Sequence, residues 1–281
     1  VRYGATIFAT DVSMDVVQLA VAMEERGFES LWLPEHTHIP TSRRTPWPVD
    51  AQRELPDQYK RCLDPFVAMT AAATATSRLR VGTGILLAAQ HEPIVTAKAA
   101  ASLDHLSGGR LSLGVGFGWN VDEMEDHGVD YSTRRARARE HMLAMRRLWE
   151  DDVASFDGAH VSFPATWSWP KPKQRPLPVL LGGAAGPKLF DHIAEYGQGW
   201  IPIGGRGIKD AVPLLRERVA EAGRDPSALE ITPFGSLPDH GKLDHFESVG
   251  VTEVVFDLPS APADVVLPLL DRYADLVAER R

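Results

Sequence analysis

Along the chain, short apolar runs alternate with longer stretches in which apolar residues return every three or four positions. The first pattern belongs to buried strands and the second to helices that cover one face of a sheet. Residues 3–8 read as a strand. Residues 14–26 read as a helix, with Val16, Val17, Leu19, Ala20 and Met23 on one face and a stop at Gly27. Residues 30–33 form the second strand. Asp64-Pro65 opens a helix to residue 76, because aspartate caps free N–H groups and proline in the first turn sacrifices no hydrogen bond. A strand at 80–86, a helix at 93–106, a strand at 110–115 and a long helix at 133–151 follow. The second half keeps the rhythm, with strands at 179–181, 199–203, 229–233 and 253–256. Helices at 187–196, 207–222, 242–249 and 263–280 follow them in turn.

Eight strands, each followed by a helix and with no compositional break, predict one α/β domain over residues 1–281, a (β/α)8 TIM barrel. An open doubly wound sheet would place a G-x-G-x-x-G turn after the first strand. Here that strand ends Phe8-Ala9-Thr10-Asp11, and where Gly114-Val115-Gly116 begins the pattern the third glycine is replaced by Trp119. Long loops are expected after the second and fourth strands; the segments 38–63 and 152–178 are too long for simple connectors. The length of 281 residues suits such a barrel, and no apolar run is long enough for a membrane span. Cys62 is the only cysteine, which leaves no internal disulfide or cysteine metal cluster. A net charge of −8 argues against nucleic acid and anionic membranes as partners. The first residues carry no charged-then-apolar leader, so the cytoplasm is expected.

Candidate chemistry gathers at strand ends. The fourth strand runs into Gly114-Val115-Gly116-Phe117-Gly118-Trp119, the third contains Gly82-Thr83-Gly84-Ile85, and the fifth ends in Gly182-Gly183. Glycines there suit main chain that passes close to a flat ligand. In a barrel the carboxyl ends of the strands build the active site, which selects Glu35, His36, Thr83, Gly84, Ile85, the stretch from Gly116 to Glu123, and Gly182 to Gly186. Arg43, Arg44, Trp47 and Tyr59 on the first long segment, and Trp167 and Trp169 on the second, are either walls for a planar or anionic ligand or barrel caps and subunit contacts. His36-x-His38 lacks the lysine or aspartate at later strand ends that would complete a metal set, so no metal is expected.

The succession Asp64-Pro65-Phe66, Leu79-Arg80-Val81-Gly82-Thr83-Gly84, Leu103-Asp104-His105-Leu106-Ser107-Gly108-Gly109-Arg110 and Leu113 to Trp119 resembles the bacterial luciferase-like superfamily. Gly182-Gly183 and Gly197-Gln198-Gly199-Trp200-Ile201-Pro202 extend the likeness over most of the chain. It is most similar to the branch that uses coenzyme F420, an 8-hydroxy-5-deazaflavin, since only a brief segment, 233–242, follows the seventh strand.

That resemblance implies an oxidoreductase that moves a hydride between coenzyme F420 and a small organic substrate. The alternatives are an FMN monooxygenase and a non-catalytic flavin-binding protein. It implies a non-prolyl cis peptide at Gly84-Ile85 behind the ring, and His36 at the ring's polar edge as hydrogen-bond donor or proton relay. Glu35 either orients His36 or pairs with an arginine. Trp119 stands where a sugar-phosphate dehydrogenase of the family has a catalytic glutamate, so it would stack on substrate or close the pocket; Asp122 and Glu123 are the nearest carboxylates. Gly116 and Gly118 would lie along the ring. Gly182, Gly183, Ala184 and Ala185, leading into a helix, would cradle the phosphate, with Arg134 and Arg137 as an added anion clamp. Likeness to the family also implies a homodimer.

Overall fold

The computed structural model describes residues 1–281. In chain order the first half contains β1 (Arg2–Thr6), α1 (Val16–Glu25), β2 (Ser30–Leu33), α2 (Pro65–Ala75), β3 (Arg80–Leu86), α3 (Pro93–Ser107), β4 (Leu111–Val115), α4 (Val121–Asp126), α5 (Arg134–Glu150) and the strands β5 (Ala154–Asp157) and β6 (Ser162–Thr166). The second half contains β7 (Val179–Gly182), α6 (Pro187–Tyr196), β8 (Gly199–Ile201), α7 (Ile208–Glu221), β9 (Glu230–Ile231), β10 (Phe234–Ser236), α8 (His240–Ser248), β11 (Glu253–Asp257) and α9 (Ala263–Ala278). Helix starts follow the expected chemistry. The side chain of Asp15 accepts from the N–H groups of Val17 and Gln18, Asp64 from Val67, and Glu92 from Ile94 and Val95.

Nine strands form one curled parallel sheet in the order β10-β11-β1-β2-β3-β4-β7-β8-β9, with helices packed outside. The strands at the two ends of this order, β9 and β10, are joined in the chain by Thr232-Pro233. Thr232 N and Phe234 N donate to the carbonyls of Trp200 and Pro202 at 2.9 Å each, and Val255 N donates to Pro233 O at 3.1 Å. The strand expected at 229–233 is therefore interrupted at Pro233, which has no N–H to offer the ladder. No helix is long and apolar enough to cross a membrane.

The inner face of the sheet is layered. At its amino-terminal end Glu253 accepts from Trp32 Nε1 at 3.0 Å and from Arg2 Nε at 3.2 Å, which neutralises a polar floor. Above it Trp32, Leu180, Ile201, Phe234 and Val255 make a compact apolar plug, with Ile85 packed on top. One expected feature is placed differently. Segment 152–178 follows α5, so it leads back to the amino-terminal edge of the sheet; it contains the antiparallel β5–β6 hairpin, and Gln174 Nε2 donates to Leu111 O at 2.7 Å at the start of β4. Trp167 and Trp169 are exposed there and do not wall the strand-end site.

Candidate active site

The glycines prove to serve a side chain before any ligand. The Gly84-Ile85 peptide is cis, as expected. Register slips at this point, Gly84 opposing Gly114 and Leu86 opposing Val115, so Ile85 has no partner and bulges from the strand. Its side chain sits on Gly116 and Gly182: a Cβ at Gly116 would lie 2.4 Å from Ile85 Cδ1, and one at Gly182 2.9 Å from Ile85 Cγ2. At Gly84 the same added atom would strike Phe234 at 2.4 Å. Bare main chain therefore seats a half-buried isoleucine at the carboxyl end of the sheet. Thr83 is fully buried and donates to Gly114 O at 2.8 Å, tying β3 to β4 beneath that seat. Gly118 has φ +72°, a turn that carries the chain over Met124 towards Trp119.

Beside this seat, at the end of β2, His36 Nδ1 meets Glu123 Oε2 at 2.8 Å, both side chains almost wholly buried. A carboxylate can only accept there, so Nδ1 donates, and in the neutral imidazole Nε2 is the acceptor. Asn120 Nδ2 lies 3.4 Å from the same oxygen, while Glu123 Oε1 has no partner. Glu123 lies on the short helix α4, which the hydrophobic pattern did not reveal. Its neighbour Asp122 is elsewhere engaged, holding Arg44 Nε and Arg44 N at 2.6 Å each, so it fastens the loop after β2 and is not free for a cofactor. His38 turns to Asp126 at 3.1 Å, away from His36.

An aromatic chamber surrounds His36. The rings of Tyr59 and Trp119 lie 5.3 and 5.9 Å from its centroid, and Tyr59 reaches Phe8 at 4.6 Å. Trp47 Nε1 donates to the Tyr59 hydroxyl at 3.1 Å, and Arg43 stands 5.7 Å over Trp119. Cys62 borders this cluster, and burial pushes its thiol up to about 12, which makes it unreactive.

Glu35 neither orients His36 nor meets an arginine. Its buried carboxylate accepts from Leu87 N and binds His91 Nε2, each at 2.6 Å. Burial disfavours the charged imidazole, but the hydrogen bond and charge of Glu35 outweigh it and raise the His91 pKa. Arg137 Nε donates to Ala89 O at 3.1 Å and His141 Nδ1 to Ala88 O at 2.9 Å. Glu35, Arg137 and His141 thus clamp the turn that follows the Ile85 bulge.

Cationic capacity remains at the start of α5. Arg134 stacks on Tyr131 at 3.7 Å and Arg135 on Phe117 at 4.3 Å, and Arg134 Nε and Arg135 Nη1 are buried without partners. Across the β4–β7 edge, Gly183 (φ +149°), Ala184 and Ala185 lead into α6, whose Pro187 stands in the first turn and whose N-terminus has no side-chain cap. Ala184 and Ala185 are exposed. This is an open set of N–H groups at a positive helix end.

Residues 5–237 match the family model described as luciferase-like monooxygenase. An uncharacterised protein of Mycobacterium tuberculosis strain H37Rv is 43% identical over 283 residues, covering 99% of each chain. An F420-dependent glucose-6-phosphate dehydrogenase of Gordonia bronchialis is 29% identical over 227 residues, covering 77% of this chain and 62% of that one. Among solved structures, monooxygenase RslO1 from Streptomyces bottropensis superposes with a TM-score of 0.82 at 19% identity, covering 100% of this chain and 99% of that one. An F420-dependent secondary alcohol dehydrogenase in complex with an F420-acetone adduct does so with a TM-score of 0.79 at 20% identity and the same coverage. At such identities the two structures speak for the fold alone.

Proposed function

The chain belongs to the luciferase-like monooxygenase family and is an oxidoreductase, and on that premise we propose that it moves a hydride between coenzyme F420 and a small organic alcohol or carbonyl compound. The curled sheet then counts as a closed (β/α)8 barrel, with β9 and β10 as one strand bent at Pro233. The observation that carries this reading is the pairing of an isoleucine bulge on a glycine seat with a buried His36–Glu123 pair beside it. When bound, a deazaflavin supplies reversible two-electron hydride transfer at its central ring.

The residues present suit that group. A flat ring needs a firm apolar wall on one face, and Ile85, fixed by Gly116, Gly182 and the clamped turn behind it, provides one. A phosphate needs donors not already spent, and Arg134 Nε with the exposed main chain of Ala184 and Ala185 before α6 offers them. His36 handles the proton. With Nδ1 fixed by Glu123, Nε2 takes the hydroxyl proton as an alcohol is oxidised and returns one to the carbonyl oxygen in the reverse direction. Trp119 has no acid or base to offer and closes the chamber over the substrate. Turnover of coenzyme F420 with a panel of small alcohols and ketones, followed by its visible absorbance, tests the reading; oxygen-dependent turnover of FMN in its place would support the monooxygenase alternative.

The homodimer belongs to the same proposal. Val67 on α2 and Val95 and Leu106 on α3 are 71, 67 and 65% exposed, an outward apolar face that a second copy would cover.

A further inference from the structure

At the carboxyl end of β11 stands an acidic residue with no partner. Side chains of a strand alternate between faces. Glu253 and Val255 face into the curled sheet, where they join the polar floor and the apolar plug, while Val254 and Phe256 pack against the helices. Asp257 therefore points inward at the strand-end mouth, paired in register with Thr6 of β1. Water reaches it, yet enough protein surrounds it that desolvation raises its carboxyl pKa, and no hydrogen bond or cation offsets that cost. This is the condition of a group on the wall of a concavity.

The concavity adjoins the chamber of His36: Thr6, the register partner of Asp257, is followed two residues on, on the same face, by Phe8, whose ring lies 4.6 Å from that of Tyr59. The phenol of Tyr59 is discouraged from ionising first by burial and also by the charge of Asp257, and the same ring touches Phe8 and His36. Each of the other acids around the chamber already has a partner: Glu35 in His91 and Leu87 N, Glu123 through Oε2 in His36, Asp122 in Arg44. The chamber's cation, Arg43, is occupied with the Thr45 carbonyl and the face of Trp119. At the same end of the sheet Ile203, after β8, and Leu237, after β10, are 81 and 66% exposed.

We propose that Asp257 selects the substrate. It accepts a hydrogen bond from an ammonium or hydroxyl group at one end of an otherwise apolar molecule, and it repels molecules that carry a carboxylate or phosphate at that end. A lone acceptor among apolar and aromatic walls rewards a donor and penalises a like charge. The role as substrate selector rests on the oxidoreductase reading; the binding preference itself requires no cofactor.

Three probes of similar size separate these outcomes: benzylammonium, benzyl alcohol and benzoate, each titrated into the full chain while tryptophan fluorescence is followed. The expected result is benzylammonium binding about tenfold or more tighter than benzoate, with benzyl alcohol between them, as opposite and like charges at a partly exposed site require. Asp257→Asn keeps the shape and removes the charge. It should erase most of that ratio without lowering the melting temperature and with the affinity for coenzyme F420 unchanged. Equal or reversed preference in the natural chain, absent benzylammonium binding, or a ratio that survives Asp257→Asn would overturn the proposal. Loss of coenzyme affinity in Asp257→Asn would also overturn it, by placing Asp257 in the cofactor site. Failure of the natural chain to bind coenzyme F420, with the probe preference intact, would instead remove the cofactor reading and leave Asp257 its role.

Discussion

His36 and Glu123 divide one task. In the proposed reaction the carboxylate fixes the tautomer and the imidazole meets the substrate. Replacing His36 by alanine is expected to lower turnover by roughly 10²–10⁴ with coenzyme affinity little changed, the usual worth of a positioned proton carrier. Glu123→Gln should cost less and show mainly in kcat, because Nε2 survives while its orientation and proton are no longer assured. Steady-state kinetics together with coenzyme binding separate the two, and undiminished turnover in His36→Ala would remove it from the chemistry. His36 was legible in the sequence from its place at a strand end. Glu123 stood out only as one of two carboxylates near Trp119, since a carboxylate beside Asp122 carries no local sign that it will be buried. Asp257 was invisible for a related reason: its role depends on strand parity and on the absence of partners, and neither is written in neighbouring residues.

At the scale of elements, the glycine-ended strands meet at one end of the sheet, and their glycines serve neighbouring side chains first. Their missing side chains make room for Ile85, Phe234 and Ile201 from within the fold, a contact made across strands that no single motif displays. Gly116→Ala is therefore expected to unseat Ile85 and weaken coenzyme binding by about tenfold or more, the cost of a strained core contact of 1–3 kcal/mol. A second change, Ile85→Ala, should recover part of that loss. Fluorescence titration of both variants checks it, and an unaffected Gly116→Ala would show that the bulge is not the wall. Most strand and helix positions were readable from a cap, as at Asp64-Pro65, or from periodicity, as along α1. The β5–β6 hairpin was missed because its register, Phe156 to Phe163, pairs too few apolar positions to show a pattern. Likewise α4 is too short to complete an amphipathic repeat.

For the whole molecule, the sheet is held by charge as well as packing, and this predicts how stability follows pH. Burial tends to raise the Glu24 carboxyl, but N–H groups of Arg78, Leu79 and Ser77 win and bring it from 4.5 down to about 2. Its contribution is complete above the unfolded value and is lost as pH falls towards 2. Glu24→Gln should lower the melting temperature at neutral pH and flatten its fall in acid, read by thermal unfolding at a series of pH values. The Glu35–His91 pair has the opposite sign. Its contribution is present below pH 6.5 and fades as pH rises through the elevated His91 value, so His91→Gln should matter least in alkaline buffer. The central claim is that the mouth of the curled sheet, with Ile85 as its floor and His36 at its edge, is built for a deazaflavin. Competitive titration of the purified chain with coenzyme F420 and FMN tests it most directly: saturable binding of coenzyme F420 that FMN displaces poorly is the expected result, and tight FMN binding with none of the deazaflavin would contradict it.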